Sequence, residues 1–332
     1  MPKGLSRRDF AVGLTSLLAG CGASLARFPF DAAAPGPATL GLDITFYGVG
    51  CFRLSYKGVD VLSDPFWSYL PIGQLMFGDT VPDPKQVDPY LPELSEVQTV
   101  IIGHNHYDHN LDLPYVAPHL HPDAVVVGSN TMVHTFAPSG IARPLVGLND
   151  TLASPDHPGQ WWVHPNGTHR VLPILSGHPT QYLFIHLFRD VLQKDRETPP
   201  EHVSDYQEGL TLAFLVDYLD DTGAIERRVY IQTSSTGYPA GFFPQAILDE
   251  HPVDAALLPM DCANLKMAGQ PTIIDFLNAP RVFFCHWEDF FRTKEKPPRE
   301  IVKVNLPKAR RFFANTESTT YFFPGFDTRF SF

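Results

Sequence analysis

Short apolar runs punctuated by Gly, Pro and Asn dominate this chain, and long amphipathic periods are rare. Asp43–Gly48, Cys51–Tyr56 and Val59–Ser63 read as strands broken by Gly50 and Lys57-Gly58, an opening meander of hairpins. Residues 65–96 mix Pro, aromatic residues and Asp without a period and read as a long loop. Further strands are predicted at Val97–Gly103, Ala124–Gly128, Leu210–Leu219, Arg227–Thr233, Asp254–Pro259 and Arg281–Cys285. Trp161–His164 and His169–Leu175 form a hairpin turning on Pro165-Asn166-Gly167. Helix-length stretches fall at Leu113–Leu120, Asn130–Phe136 with Asn130 as cap, Pro244–Asp249 and Thr272–Leu277. A second insertion spans residues 180–209, and short β runs close the chain. Strands, then mixed strand–helix units, then the same order again predict an α/β fold of two sheets packed face to face with helices outside. No composition break divides residues 41–332, which are expected to form one domain.

The first 21 residues have a different grammar. Ser6-Arg7-Arg8-Asp9-Phe10 is a twin-arginine export pattern, and the apolar stretch Ala11–Ala19 is too short to span a bilayer. It ends in Leu18-Ala19-Gly20-Cys21, which resembles a bacterial lipobox in which Cys21 is lipidated. The alternative is a cleaved signal with a small-residue site near Ser24-Leu25-Ala26. Residues 22–40, rich in Ala, Pro and Gly, are expected to be a flexible tether. The expectation is an exported protein of the periplasm or cell envelope, held on the membrane through Cys21. The remaining cysteines, Cys51, Cys262 and Cys285, lie in or beside apolar runs and read as small buried residues rather than a disulfide framework. The net charge of −11, with no Lys/Arg stripe to offset it, excludes nucleic acid as a partner. Oligomeric state is not legible.

Ionisable residues gather behind one predicted strand. His104-Asn105-His106-Tyr107-Asp108-His109 places three imidazoles and a carboxylate within six positions. Such a cluster is costly to bury without an ion to satisfy it. Zinc-type sites use imidazole and carboxylate ligands, and catalytic ones keep a position for water. In an extended His-x-His, alternate side chains point the same way, so His104 and His106 can share one ion. Asp108 and His109 lie beyond the turn and can reach a second. The other histidines, among them His186, match no motif and read as surface or loop groups. Tyr69, Phe77, Trp161, Trp162 and Tyr182 are candidates for lining a substrate pocket.

The pattern His-x-His-x-Asp-His behind a buried strand resembles the metallo-β-lactamase superfamily, and the resemblance extends over residues 42–325. It implies a four-layer αββα sandwich and a metal-dependent hydrolase. Val61-Leu62-Ser63-Asp64-Pro65 resembles the family's first motif, whose aspartate, here Asp64, hydrogen-bonds the histidine loop rather than touching metal. His178, in Leu175-Ser176-Gly177-His178, and His286, in Phe284-Cys285-His286-Trp287, stand where the family has its third metal histidine and its last ligand. The implied sets are His104, His106 and His178 on one ion, and Asp108, His109 and His286 on a second. The implied metal is zinc, as one or two ions, with manganese or iron as alternatives. The family's bridging aspartate is missing: in Gln232-Thr233-Ser234-Ser235-Thr236-Gly237 its place is held by Ser235, a much weaker ligand. The site then has a weakened second ion, a single ion, or a substitute carboxylate such as Asp261. Asn105–His109, Asp254–Met260 and His286-Trp287 resemble the branch of N-acyl phosphatidylethanolamine phospholipase D and ascorbate-6-phosphate lactonase-like proteins more than true β-lactamases.

The resemblance implies hydrolysis of a phosphodiester, ester or lactone by metal-activated hydroxide, with Asp108 orienting the hydroxide or moving its proton. The substrate expected is a small or lipid-like molecule. The rival expectation is a metal-binding protein in which Ser235 has weakened or abolished turnover. Oxygen reduction at a di-iron centre is disfavoured, because the chain has neither a flavodoxin-like partner domain nor a carboxylate-rich site.

Overall fold

Runs of Val, Ile, Leu and Phe with little charge give strands that can be covered on both faces, and such strands make up two seven-stranded sheets. They are seen in a computed structural model of the chain, which describes residues 23–32, 39–180, 186–269, 271–302 and 304–332. The first sheet contains β1 (Leu42–Gly48), β2 (Cys51–Tyr56), β3 (Val59–Ser63), β4 (Val97–Ile101), β5 (Val125–Gly128) and β6 (Leu145–Gly147), with the C-terminal β14 (Thr328–Ser331) added beside β1. The second contains β7 (Trp162–Val163), β8 (His169–Leu175), β9 (Leu212–Leu219), β10 (Ile225–Gln232), β11 (Ala255–Pro259), β12 (Arg281–Cys285) and β13 (Thr320–Phe322), in that spatial order.

The two sheets share one plan. Pairing is antiparallel through β14, β1, β2 and β3, then parallel through β3, β4, β5 and β6. It is antiparallel through β7, β8, β9 and β10, then parallel through β10, β11, β12 and β13. Phe46, Phe52, Val216, Ile231, Leu257 and Phe283 belong to the core that joins the sheets. Helices Leu113–Val116 and Asn130–Phe136 cover the first sheet, burying Val116, Met132 and Phe136 with Val100 and Ile102. Helices Gln245–Glu250, Ile273–Leu277 and Leu306–Phe312 pack Ile247, Ile273 and Leu306 on the second. The result is the expected αββα sandwich of metallo-β-lactamase type.

Four local expectations change. The cap of Asn130–Phe136 is Ser129, whose Oγ accepts from the Met132 N–H at 3.3 Å, and Asn130 is the first helical residue. Residues 65–96 hold the short helices Ile72–Phe77 and Pro84–Val87. Helices Met260–Met267 and Leu306–Phe312 and strand β6 occupy stretches where no element, or only β, was expected. Residues 23–32 are packed on the domain rather than forming a tether. Leu25 is buried, its N–H donates to the Pro298 carbonyl at 2.8 Å, and Phe30 lies 4.8 Å from the Trp287 ring. Three apolar side chains, Leu25, Phe28 and Phe30, outweigh the Pro and Ala around them. The export segment, Cys21 and Tyr182 lie outside the described residues.

Candidate metal centre

The functional side chains sit at the carboxyl ends of strands, where the buried backbone stops and side chains of different strands converge. Asp64 follows β3 directly, His104 and His178 lie three residues past β4 and β8, and His286 follows β12 directly. The loop after β4 is extended to His106 (φ −72°, ψ 153°) and then turns into helix Tyr107–Asn110, which carries Asp108 and His109 inward. Asn105 steadies the loop from its far side. Its amide donates to Thr135 Oγ1 and the Gln207 carbonyl, both at 2.9 Å, and its oxygen accepts from Asn110 Nδ2 at 2.7 Å. Asp64 and His286 have φ of +40° and +54°, rare for residues with a Cβ and characteristic of functional positions. At Gly50 a Cβ would come within 2.5 Å of Asp64 Oδ2, so only glycine leaves room for that carboxylate.

Asp64 is fully buried. Its Oδ1 accepts from the Gly103 N–H at 2.7 Å, and its Oδ2 meets His109 Nδ1 at 2.6 Å. A carboxylate can only accept here, so the His109 proton is on Nδ1 and Nε2 keeps a free lone pair. That Nε2 is buried without a hydrogen-bond partner, 3.6 Å from Asp108 Oδ2. His286 Nε2 lies 3.6 Å from the same oxygen. These three residues form one ligand group. A second is His104, His106 and His178, with His104 Nε2 and His106 Nδ1 3.0 Å apart and the His178 ring 4.7 Å from each of the other two. Ligand nitrogens around a tetrahedral zinc are roughly 3.3 Å apart, from bond lengths of about 2.05 Å. Separations of 3.0 and 3.6 Å fall on either side of that edge. The donor set, the spacing and the orphaned His109 nitrogen fit a divalent cation in each group.

The electrostatics agree with that fit. Burial drives the pKa of His104 and His178 well down and that of His106 to about 4, with the neighbouring imidazoles reinforcing the first two. These rings are neutral at pH 7 and have lone pairs to give. Burial opposes the charged form of Asp108, but His109 and His286 outweigh it and hold the carboxyl well below the usual range. Burial also opposes charge on His286, yet Asp108 raises its pKa overall. A carboxylate with imidazoles around it is what a second cation would meet.

A cavity of about 190 Å³ opens over both groups, with His106, Asp108, His178 and His286 in its walls. Most of the remainder is apolar: Leu187, Phe188, Val203, Tyr206, Phe290 and Ile301. Of the aromatic residues expected to line it, the four that are described do not. Tyr69 is buried and donates to Glu288 Oε1 at 2.9 Å, Phe77 is exposed, and Trp161 and Trp162 sit by strand β7. Thr233 and Ser234 reach the cavity, whereas Ser235 is buried behind it with its Oγ accepting from the Gly237 N–H at 3.1 Å. Asp261 lines the cavity but joins neither ligand group. His186, expected as an unremarkable loop group, stacks 5.3 Å from His178 and pairs with Glu208. Only its position, eight residues beyond His178 in an insertion, could have signalled it.

No protein-family model and no curated protein matches the chain. Solved structures do match it in fold. Igni18, a novel metallo hydrolase from the hyperthermophilic archaeon Ignicoccus hospitalis, is 15% identical, with 88% of this chain and 99% of that one covered and a TM-score of 0.52. A possible metal-dependent hydrolase from Veillonella parvula is 13% identical over 87% of this chain and 99% of its own, with a TM-score of 0.54. The isothiocyanate hydrolase from Delia radicum gut bacteria is 12% identical over the same shares, 87% and 99%, with a TM-score of 0.51. At such identities the likeness is one of fold. The chain thus has the αββα fold of these hydrolases, with two groups of side chains that could hold a metal ion at its strand ends.

Proposed function

We propose that the protein is a metal-dependent hydrolase that cleaves a phosphodiester, ester or lactone in a lipid-like substrate. One observation carries the reading: two His/Asp ligand groups lie side by side under a largely apolar cavity. Divalent ions held there would lower the pKa of water and polarise the substrate oxygen. The chain supplies the rest. His104, His106 and His178 offer neutral nitrogens, and Asp64 fixes the His109 tautomer. Asp108 presents a carboxylate on the cavity wall that can hold or move a proton. Phe188, Tyr206 and Phe290 can bind a hydrocarbon arm and exclude water.

A membrane substrate draws support from the N-terminal segment. The Ala23 carbonyl accepts from the Glu300 N–H at 3.1 Å, and the next residues, Ile301 and Val302, line the cavity. Ala23 follows Cys21 by two residues in the sequence, so a lipid on Cys21 would join the chain close to this contact. Residues 290–311 contain eight Lys or Arg and two Glu in a chain of net charge −11, a local balance suited to phosphate head groups.

The test is hydrolysis of phosphodiesters, esters and lactones with short and long acyl arms by metal-replete protein, with His106→Ala as the blank. Turnover that rises with arm length and is absent from the blank is expected. Activity no higher than the blank on all three classes refutes the reading. It would leave the metal-binding protein without turnover, which Ser235 in place of a carboxylate favours.

A further inference from the structure

His178 belongs to a second ligand group besides the one with His104 and His106: it also converges with His186 and Glu208. We propose that His186 and Glu208 form an outer cation-binding position that captures a divalent ion and passes it through His178 to His104 and His106. The proposal rests on the metal centre described above.

The geometry has three parts. First, the residues lie along a gradient of exposure. The side chain of His186 is 26% exposed and that of Glu208 10%, whereas His104 is fully buried. Second, His178 can serve only one ion at a time. Its Nδ1 lies 2.6 Å from the Pro179 carbonyl oxygen, which can only accept, so Nδ1 carries the proton and Nε2 has the single lone pair. Outer and inner occupancy are mutually exclusive, and His178 is the shared step. Third, the outer pair is tied to the inner loop. The Glu208 carbonyl accepts from the Asn105 N–H at 3.0 Å, its N–H donates to the Phe188 carbonyl at 2.6 Å, and its Oε1 accepts from Thr211 Oγ1 at 3.0 Å. The remaining oxygen, Oε2, faces His186 Nε2. Ligation replaces that hydrogen bond, and no redox or covalent step is needed.

Charge explains why an outer position is useful. The inner group is three imidazoles with no anion among them, and the carboxylate beside it, Asp108, belongs to the adjoining group. Glu208 places a carboxylate next to His178, on the more exposed side of the group. Charge of one sign lining a cleft raises association rates by about 10–10³-fold, and one carboxylate is expected at the low end of that range.

The experiment mixes metal-free full-length protein with Co²⁺ and follows the ligand-field absorbance in a stopped-flow instrument, with total bound metal measured at the end. Glu208→Gln and His186→Ala should slow uptake about tenfold while leaving the final metal content and inner affinity unchanged. Glu208→Asp should recover part of the rate. Melting of the metal-free variants near the wild-type temperature separates a loading defect from misfolding. Uptake at the wild-type rate in both variants overturns the proposal. So does an extra equivalent of metal that wild type holds and both variants lose, because the positions would then be independent. If wild-type protein takes up no metal at all, the metal centre itself is refuted, a result distinct from either.

Discussion

Replacing Asp64 with Asn isolates the link between the buried scaffold and the second ligand group. The carboxylate accepts from two donors, the Gly103 N–H at 2.7 Å and His109 Nδ1 at 2.6 Å. The amide has the same shape but one acceptor oxygen, so its NH₂ must face one of those donors. Asn tolerates the positive φ of this position, and the backbone need not move. A donor left unsatisfied at a fully buried site costs about 1–3 kcal/mol, which should lower the melting temperature of the metal-free protein by several degrees. The second effect falls on His109. With its tautomer no longer enforced, Nε2 is not reliably the free nitrogen, and losing such a partner weakens metal binding by about 10–100-fold. That is roughly 1.4–2.8 kcal/mol, concentrated on the ion of Asp108, His109 and His286. Competition titration with a chromophoric chelator resolves the two ions. The expected result is one weakened equivalent and one close to wild type. If melting falls but both affinities stay within twofold of wild type, Asp64 only staples Gly103, and His109 is oriented by something else.

Acid should destabilise the metal-free protein. His104, His106 and His178 have folded-state pKa values below the unfolded value of about 6.5, so below that pH the unfolded chain binds more protons. Urea midpoints should fall between pH 6.5 and pH 4, and a midpoint unchanged between pH 7 and 4 contradicts the buried neutral assignment. Arg228, fully buried between Asp217 and Glu250, tests stability apart from the site. Arg228→Met removes one of the two guanidinium partners of Asp217, leaving Arg170, and should cost up to about 3–5 kcal/mol without changing metal affinity, as read by calorimetry and titration. Because Ser234 reaches the cavity and Ser235 does not, Ser234→Asp should tighten one ion by about tenfold, or ~1.4 kcal/mol, while Ser235→Asp mainly destabilises the fold. The reverse order would place the bridging position at 235.

The strands were legible because each is a short apolar run with a turn residue at its end. Cys51–Tyr56, Val59–Ser63, His169–Leu175 and Arg281–Cys285 occur where their composition places them. The site was legible for the same reason: His104, His178 and His286 follow apolar runs, so locating the strands located the histidines. Elements without a hydrophobic signature were not. Strand β6 has three residues, none fully buried, and helix Leu306–Phe312 carries Lys308, Arg310 and Arg311 over a narrow apolar stripe. Cavity walls were illegible because they come from irregular segments, where side-chain direction follows no period. Phe188 and Tyr206 carry no mark that separates them from Tyr69 or Trp161. The partnership of His186 with Glu208 spans 22 residues of loop, beyond any local rule.

The shared plan of the two sheets has a consequence for what metal does to the fold. Each of the two inner ligand groups draws two residues from the first sheet's loop and one from the second sheet, His178 in one group and His286 in the other. Neither sheet can complete an inner group by itself. Each ion would act as a clasp across the seam, and withdrawing it would leave both sheets intact but free to part along one edge. Amide exchange after chelation should accelerate jointly at the ends of β4, β8 and β12 and stay slow in the paired middle of β1 and β2. Metal content would then report the closure of the sandwich rather than the folding of either half.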